Sequence, residues 1–182
     1  MTKKIAILTL SGNYNYGNRL QNYAMQEVYK KFGLEAHTIW NEIDLNNGPK
    51  MTVKRRIKNF IKPLIGKVNY DKYTFKRIEN FSKFTNKYIH TSSYIMKDDN
   101  NKKLDEMYDF FSVGSDQVWN YTFRNLISSD FLMFADKNKT ISYAPSFGVS
   151  NIPNEHKYKY IQELKHLLDE HGITYSEEYE ID

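Results

Sequence analysis

The sequence predicts an α/β fold in which an open parallel sheet carries helices on its faces. Three observations predict it. The segment "KIAILTL", residues 4–10, is a nearly continuous apolar run, as in a strand buried on both faces. A helical segment and a second extended run, "LEAHTIW" (34–40), follow directly and make a βαβ unit, whose crossover is almost always right-handed. Two later extended runs, "YDFFSVGS" (108–115) and "KTISYAPSFG" (139–148), end like the first in loops of small and polar residues.

The first helix is read from its apolar spacing: Leu20, Ala24, Val28 and Phe32, with Tyr23 beside them, form one stripe. Asn18 is the expected N-cap, Gln21 its capping-box partner, and Gly33 suits the left-handed position after the last turn. Residues 49–90 have helical spacing broken by Pro63 and Gly66, and read as a basic helical insertion. Within it, Lys54, Arg55, Arg56, Lys58, Lys62, Lys67, Lys72, Lys76, Arg77, Lys83 and Lys87 face only Asp71 and Glu79. "KDDNNKKLDE" (97–106) reads as a solvated turn or loop. Pro145 has no N–H for a ladder, so the last strand is expected to stop there. Residues 154–171 are expected to be a helix with Tyr158, Ile161, Leu164, Leu167 and Leu168 inward, followed by an acidic tail, 172–182.

Composition narrows the function classes. A chain of 182 residues holds one ordinary α/β domain with a sizeable core, and the expectation is a single domain over residues 1–182. The absence of cysteine excludes disulfides, thiolate zinc sites and cysteine nucleophiles. The histidines, His37, His90, His156, His166 and His171, are scattered without metal spacing, so no metal site is assigned. No apolar run approaches the ~20 residues that span a bilayer, and the apolar run near the N-terminus is too short for a signal peptide. The expected location is therefore cytoplasmic. A pI of about 9.0 raises nucleic-acid binding, which is set aside because a basic solvated helical face explains it equally simply.

Ligands of open parallel sheets bind beyond the carboxyl ends of the strands, so "SGNYNYGN", "GSDQVWN" and "APSFGVS" are expected to converge on one crevice. The first loop supplies Gly12, Asn15, Tyr16, Gly17 and Asn18, with the Arg19 guanidinium, at a helix N-terminus: the ingredients of an anion site. Its spacing fits neither the dinucleotide nor the P-loop pattern. A turn that merely caps the helix fits equally well. Arg19, Asn22 and Gln26 form one polar line along that helix, facing either the crevice or solvent, and spacing alone favours solvent.

The second loop carries Gly114, Ser115, Asp116, Gln117, Trp119 and Asn120. A carboxylate that accepts a hydroxyl proton, amides that donate and accept, and a flat indole face together suit a sugar. The alternative is that Asp116 caps a turn and Trp119 is core. Ser142, Tyr143 and Ser146 add polar groups at the last strand end.

Taken together, "NYGNRLQNYAMQ", "VGSDQVWN" and "ISYAPSFGVSNIP" resemble, in order and spacing, the N-terminal half of the polysaccharide pyruvyl transferase family. Pro145 stands where that family commonly has Ala. The resemblance implies a Rossmann-like domain in a GT-B-type pair, acting in exopolysaccharide biosynthesis at the cell envelope. Its reaction would move a pyruvyl group from phosphoenolpyruvate onto two hydroxyls of a sugar as a ketal, without a further cofactor. It also implies a second, donor-binding domain, which is not expected within these residues, so the isolated chain is expected to be inactive. The alternatives are a non-catalytic glycan-binding module, or one subunit of a split enzyme completed by a separate C-terminal half or by self-association. In such chemistry Asp116 is the base candidate and Arg19 the anion candidate. A lipid-linked acceptor would bring the protein to the inner face of the membrane, with Lys54–Lys87 as a peripheral contact.

Overall fold

Residues Ile5, Ala6, Ile7 and Leu8 are all buried, which is the signature expected of a strand covered on both faces. The computed structural model describes residues 2–12, 15–42, 70–97, 101–123 and 128–170 of the chain. Ile5 and Ile7 of β1 (Lys4–Leu8) pack with Met25, Tyr29 and Ala36 on one side of the sheet. Ala6 and Leu8 point the other way, into a larger cluster with Ile39, Met96, Leu104, Phe111 and Val113. Period-two alternation thus feeds two apolar layers from one short segment.

Helix α1 (Tyr16–Lys31) crosses to β2 (Glu35–Asn41), which runs parallel to β1 with Lys4 opposite Glu35. Helix α2 (Tyr70–Tyr88) leads to β3 (Thr91–Met96), and α3 (Lys102–Met107) to β4 (Phe110–Gly114). Then β5 (Thr140–Tyr143) and helix α4 (Asn154–Glu170) follow. The sheet has the order β3-β2-β1-β4-β5 with every pair parallel. The fold is an open, Rossmann-like α/β sheet, as the sequence predicts. Gly33 has φ +76° at the end of α1, and β5 stops at Tyr143, before Pro145. Among the described residues, no helix is long and apolar enough to cross a membrane.

Several local expectations are corrected. The N-cap of α1 is Asn15, not Asn18: its Oδ1 accepts from the Gly17 N–H at 2.8 Å, and Gln21 makes no capping box with Asn18. The helix is also turned relative to its apolar stripe. Leu20, Ala24, Val28 and Phe32 are exposed, Phe32 at 76%, whereas Arg19, Asn22, Met25, Gln26 and Tyr29 are buried. Polar groups lie beneath this helix and need partners in a low-dielectric interior. Asn22 Oδ1 accepts from Thr38 Oγ1 at 2.5 Å, and Thr38 Oγ1 in turn accepts from Gln26 Nε2 at 2.8 Å. Gln26 also brackets the His90 backbone, donating to its carbonyl at 2.7 Å and accepting from its N–H at 2.9 Å. The polar line therefore faces the sheet, neither crevice nor solvent, and joins α1 to β2 and to the entry of β3.

Strand β3 went unrecognised in the sequence because "TSSYIM" opens with three consecutive polar residues and lacks apolar alternation, and as an edge strand only its Met96 is buried. The segment read as a solvated turn contains α3, whose Leu104 is fully buried and whose preceding Asn101 donates to Ser129 Oγ at 2.9 Å. In α4 it is Tyr160 that is buried, against Phe131, while Tyr158 is 74% exposed and Ile161 also faces out. Leu164 packs on that cluster; the side chains of Lys72, Leu167 and Leu168, the basic residues Lys54 to Lys67 and the tail 172–182 lie outside the described residues.

Candidate functional site

The order of the sheet places the site. Strands β1 and β4 are neighbours, yet their outgoing connections run to opposite sides, so β1 and β4 flank the switch point where a crevice opens beyond the strand ends. A cleft of about 630 Å³ lies there. Its walls are Leu10, Gly12, Asn15, Tyr16 and Asn18 from the β1–α1 connection, Asp116, Gln117, Thr122 and Phe123 from the segment after β4, and Arg77 from α2.

Two glycines let the second wall fold as it does. Gly114 has φ +112°, and a Cβ there would stand 2.2 Å from the Tyr143 carbonyl oxygen, so only glycine lets β4 turn away this close to β5. Gly148 has φ +65°, and a Cβ on it would occupy the space of the Gln117 side chain. Backbone bonds then tie the two loops together: Ser146 N–H donates to the Asp116 carbonyl at 2.9 Å, and Trp119 N–H to the Ser146 carbonyl at 3.3 Å. Asn120 is buried, donates to Gln117 Oε1 at 3.1 Å and accepts from Thr122 N–H and Oγ1 at 2.9 and 2.7 Å. The cleft wall is thus braced from behind.

Asp116 is held by one oxygen only. Its Oδ1 accepts from the Gln117 N–H at 2.7 Å, and its Oδ2 is shielded from solvent without a hydrogen-bond partner. Asp116 lines the cleft through this anchored carboxylate, with Oδ2 turned away from solvent. Two exposed aromatic side chains flank it. Phe123 lies three residues beyond Asn120, and Tyr16 packs on Phe81 of α2 with ring centroids 4.3 Å apart.

The site residues expected from the sequence divide accordingly. Asn15, Tyr16, Asn18, Asp116 and Gln117 meet in the cleft wall, with Gly17 beside them donating to Asn15. Arg19 does not line it: the side chain is 1% exposed, donates from Nη2 to the Leu10 carbonyl at 3.2 Å and lies over the Trp40 ring at 5.6 Å. Asn22 is likewise spent on Thr38. Trp119 stacks on Phe131 at 5.2 Å with an interplanar angle of 8°, tilts against Phe147, and donates its indole N–H to the Asp130 carbonyl at 2.9 Å. It is a wall of the core behind the cleft. The Tyr160 hydroxyl donates to the Trp119 carbonyl, and burial, with Asp130 nearby, pushes that phenol up to about 12. Ser142 and Tyr143 are exposed on the edge strand, Ser115 and Gly114 form the turn out of β4, and Ser146 acts through its backbone.

Sequence reasoning overlooked Arg77, Thr122 and Phe123 as cleft residues. The signal for Arg77 was its place one turn before Phe81 on a helix whose apolar side must meet α1.

An open parallel sheet with a polar, aromatic-lined cleft at its switch point defines an α/β protein with a candidate ligand site beyond its strand ends. The chain belongs to the polysaccharide pyruvyl transferase family, whose model matches residues 15–172, and membership indicates a pyruvyl transferase-like function. Searches of curated proteins and of solved structures returned no match. The matched span covers every cleft residue except Leu10 and Gly12.

Proposed function

We propose that this cleft binds the sugar acceptor in pyruvyl transfer from phosphoenolpyruvate to a cell-surface glycan. In that reaction two sugar oxygens form bonds to C2 of the enol, phosphate leaves, and the methylene carbon takes up a proton to become the methyl group of the ketal. One hydroxyl proton balances the methyl and the other leaves with phosphate. Asp116 acts as the base that receives a hydroxyl proton, and Phe123 and Tyr16 offer apolar faces to the sugar ring. Asn15, Asn18 and Gln117 are placed to meet the remaining hydroxyls. On this reading these residues form the acceptor side of the reaction. The acceptor is carried on a lipid at the inner membrane face.

The observation that supports this most directly is that Asp116, the one carboxylate among the described wall residues, lines the cleft with its Oδ1 fixed by the Gln117 N–H at 2.7 Å. Calorimetric titration with a panel of neutral oligosaccharides tests it. Asp116→Asn and Phe123→Ala should each weaken binding about tenfold, as expected for a hydrogen bond to a charged group or a lost stacking face, with unchanged melting temperature. Equal affinity in the parent and both variants would overturn the assignment. Acceptor-dependent release of phosphate from phosphoenolpyruvate is the matching activity readout.

A further inference from the structure

Arg77 is singled out by how α2 is anchored. Phe81, one turn further on, is 2% exposed and packs on Tyr16, and Thr85 a turn beyond that is also buried. The side of the helix that carries 77, 81 and 85 therefore faces α1, and its N-terminal member reaches the cleft. The other cations whose side chains are described on α2 are occupied elsewhere. Lys76 and Lys83 both reach Glu79, at 3.2 and 2.7 Å, and Lys87 lies over the Tyr88 ring at 5.0 Å. Arg77 is exposed, lines the cleft, and is the single cation among its described wall residues.

The facing wall is the start of α1. Its first turn contains no acidic residue, and Asn15, Tyr16 and Asn18 border the same space. The positive end of a helix and a guanidinium thus meet across one cavity. An exposed guanidinium with a planar donor fork, beside amide groups, is matched by an oxyanion with two coplanar oxygens rather than by a neutral hydroxyl.

We infer that Arg77 is the phosphate-recognising residue of the cleft, holding a phosphate oxyanion of the ligand opposite Asp116. The inference rests on reading the cleft as the ligand site, and adds that the ligand is anionic at one end and hydroxyl-bearing at the other. The phosphate belongs either to phosphoenolpyruvate or to the carrier of a glycosyl phosphate, and the two sources separate by experiment.

Binding of inorganic phosphate, phosphoenolpyruvate and uridine diphosphate glucose is measured by calorimetry for the full chain, Arg77→Gln and Arg77→Lys, with neutral oligosaccharides alongside. The expected result is loss of about tenfold or more in affinity for a phosphate-bearing probe in Arg77→Gln, partial retention in Arg77→Lys, and unchanged affinity for neutral sugar. Preference for phosphoenolpyruvate assigns the donor, and preference for the nucleotide sugar assigns the carrier phosphate. Asp116→Asn should leave phosphate binding equal or tighter, because a negative charge has been removed. Unchanged phosphate affinity in Arg77→Gln overturns the inference, as does failure of the parent chain to bind any of the three phosphate probes. Neutral-sugar binding sensitive to Asp116 would survive either failure, so the acceptor reading stands or falls separately. Unaltered melting curves are expected for both Arg77 variants because the side chain is exposed.

Discussion

Replacing Gln26 by Met tests whether the polar line of α1 is structural. The side chain is 6% exposed and close in volume to Met, so the substitution keeps packing and removes hydrogen bonding. Three bonds are lost, but unequally. The His90 carbonyl still accepts from the Thr38 N–H at 2.8 Å, and Thr38 Oγ1 still donates to Asn22, so two of the three partners stay satisfied. The His90 N–H loses the Gln26 Oε1 acceptor at 2.9 Å. An unsatisfied buried donor costs about 1–3 kcal/mol, and the exposure of His90 itself, which admits water, argues for the lower half of that range. Adding about 0.5 kcal/mol for each of the other two bonds gives a loss of about 2–3 kcal/mol. With a urea slope of about 2 kcal/mol/M the unfolding midpoint should fall by about 1–1.5 M. Hydrogen exchange at His90 should accelerate in the same variant, because β3 loses its tie to the helix. An unchanged midpoint together with weakened ligand binding would refute the reasoning and return Gln26 to the ligand.

Other outcomes follow from the same contacts. Trp119→Ala should destabilise the fold by about 3–5 kcal/mol, since the ring stacks on Phe131 and its N–H is bonded to Asp130; a folded, stable variant with selective loss of sugar binding would instead make the indole a ligand platform. Burial raises the Tyr160 phenol to about 12 from an ordinary value of 10.0, so the unfolded chain ionises first as pH climbs. Tyr160 therefore contributes stability that is fully present below about pH 10 and lost between pH 10 and 12. Tyr29 and Tyr108 shift in the same direction, so the check is alkaline urea unfolding against Tyr160→Phe, whose stability should fall less steeply in that window. If the basic stretch holds the protein at a membrane, anionic vesicles should bind it at low salt and release it as salt rises, and replacing Arg55, Arg56, Lys58 and Lys62 by Gln should abolish most of the binding. No binding to anionic vesicles at low salt would leave the stretch a solvated face.

The sequence by itself determined the class of fold, because β1 and β4 are short apolar runs and their burial depends only on residue type and length. It also determined where two turns fall: Gly114, at the end of β4, and Gly33, at the end of α1, occupy backbone conformations that few other residues adopt, and such positions are visible as glycine next to a strand or helix end. Motif spacing, which needs no coordinates, carried the family.

Which side of each element faces inward was decided only in three dimensions. For α1 the apolar stripe and the buried face differ because the surface beneath the helix presents Thr38, the His90 backbone and the Leu10 carbonyl, and unpaired polar groups there cost more than exposing Leu20 or Phe32. The same holds for the cleft. Arg19 and Trp119 have the right chemistry for an anion and a sugar, yet tertiary packing gives both to the interior, whereas Arg77 and Phe123 reach the cavity from segments whose patterns signal only a basic helix and a turn. Hydrophobic periodicity encodes how much of an element is buried. What each buried face meets depends on partners distant in the chain, and so does the identity of the side chains left facing the cleft.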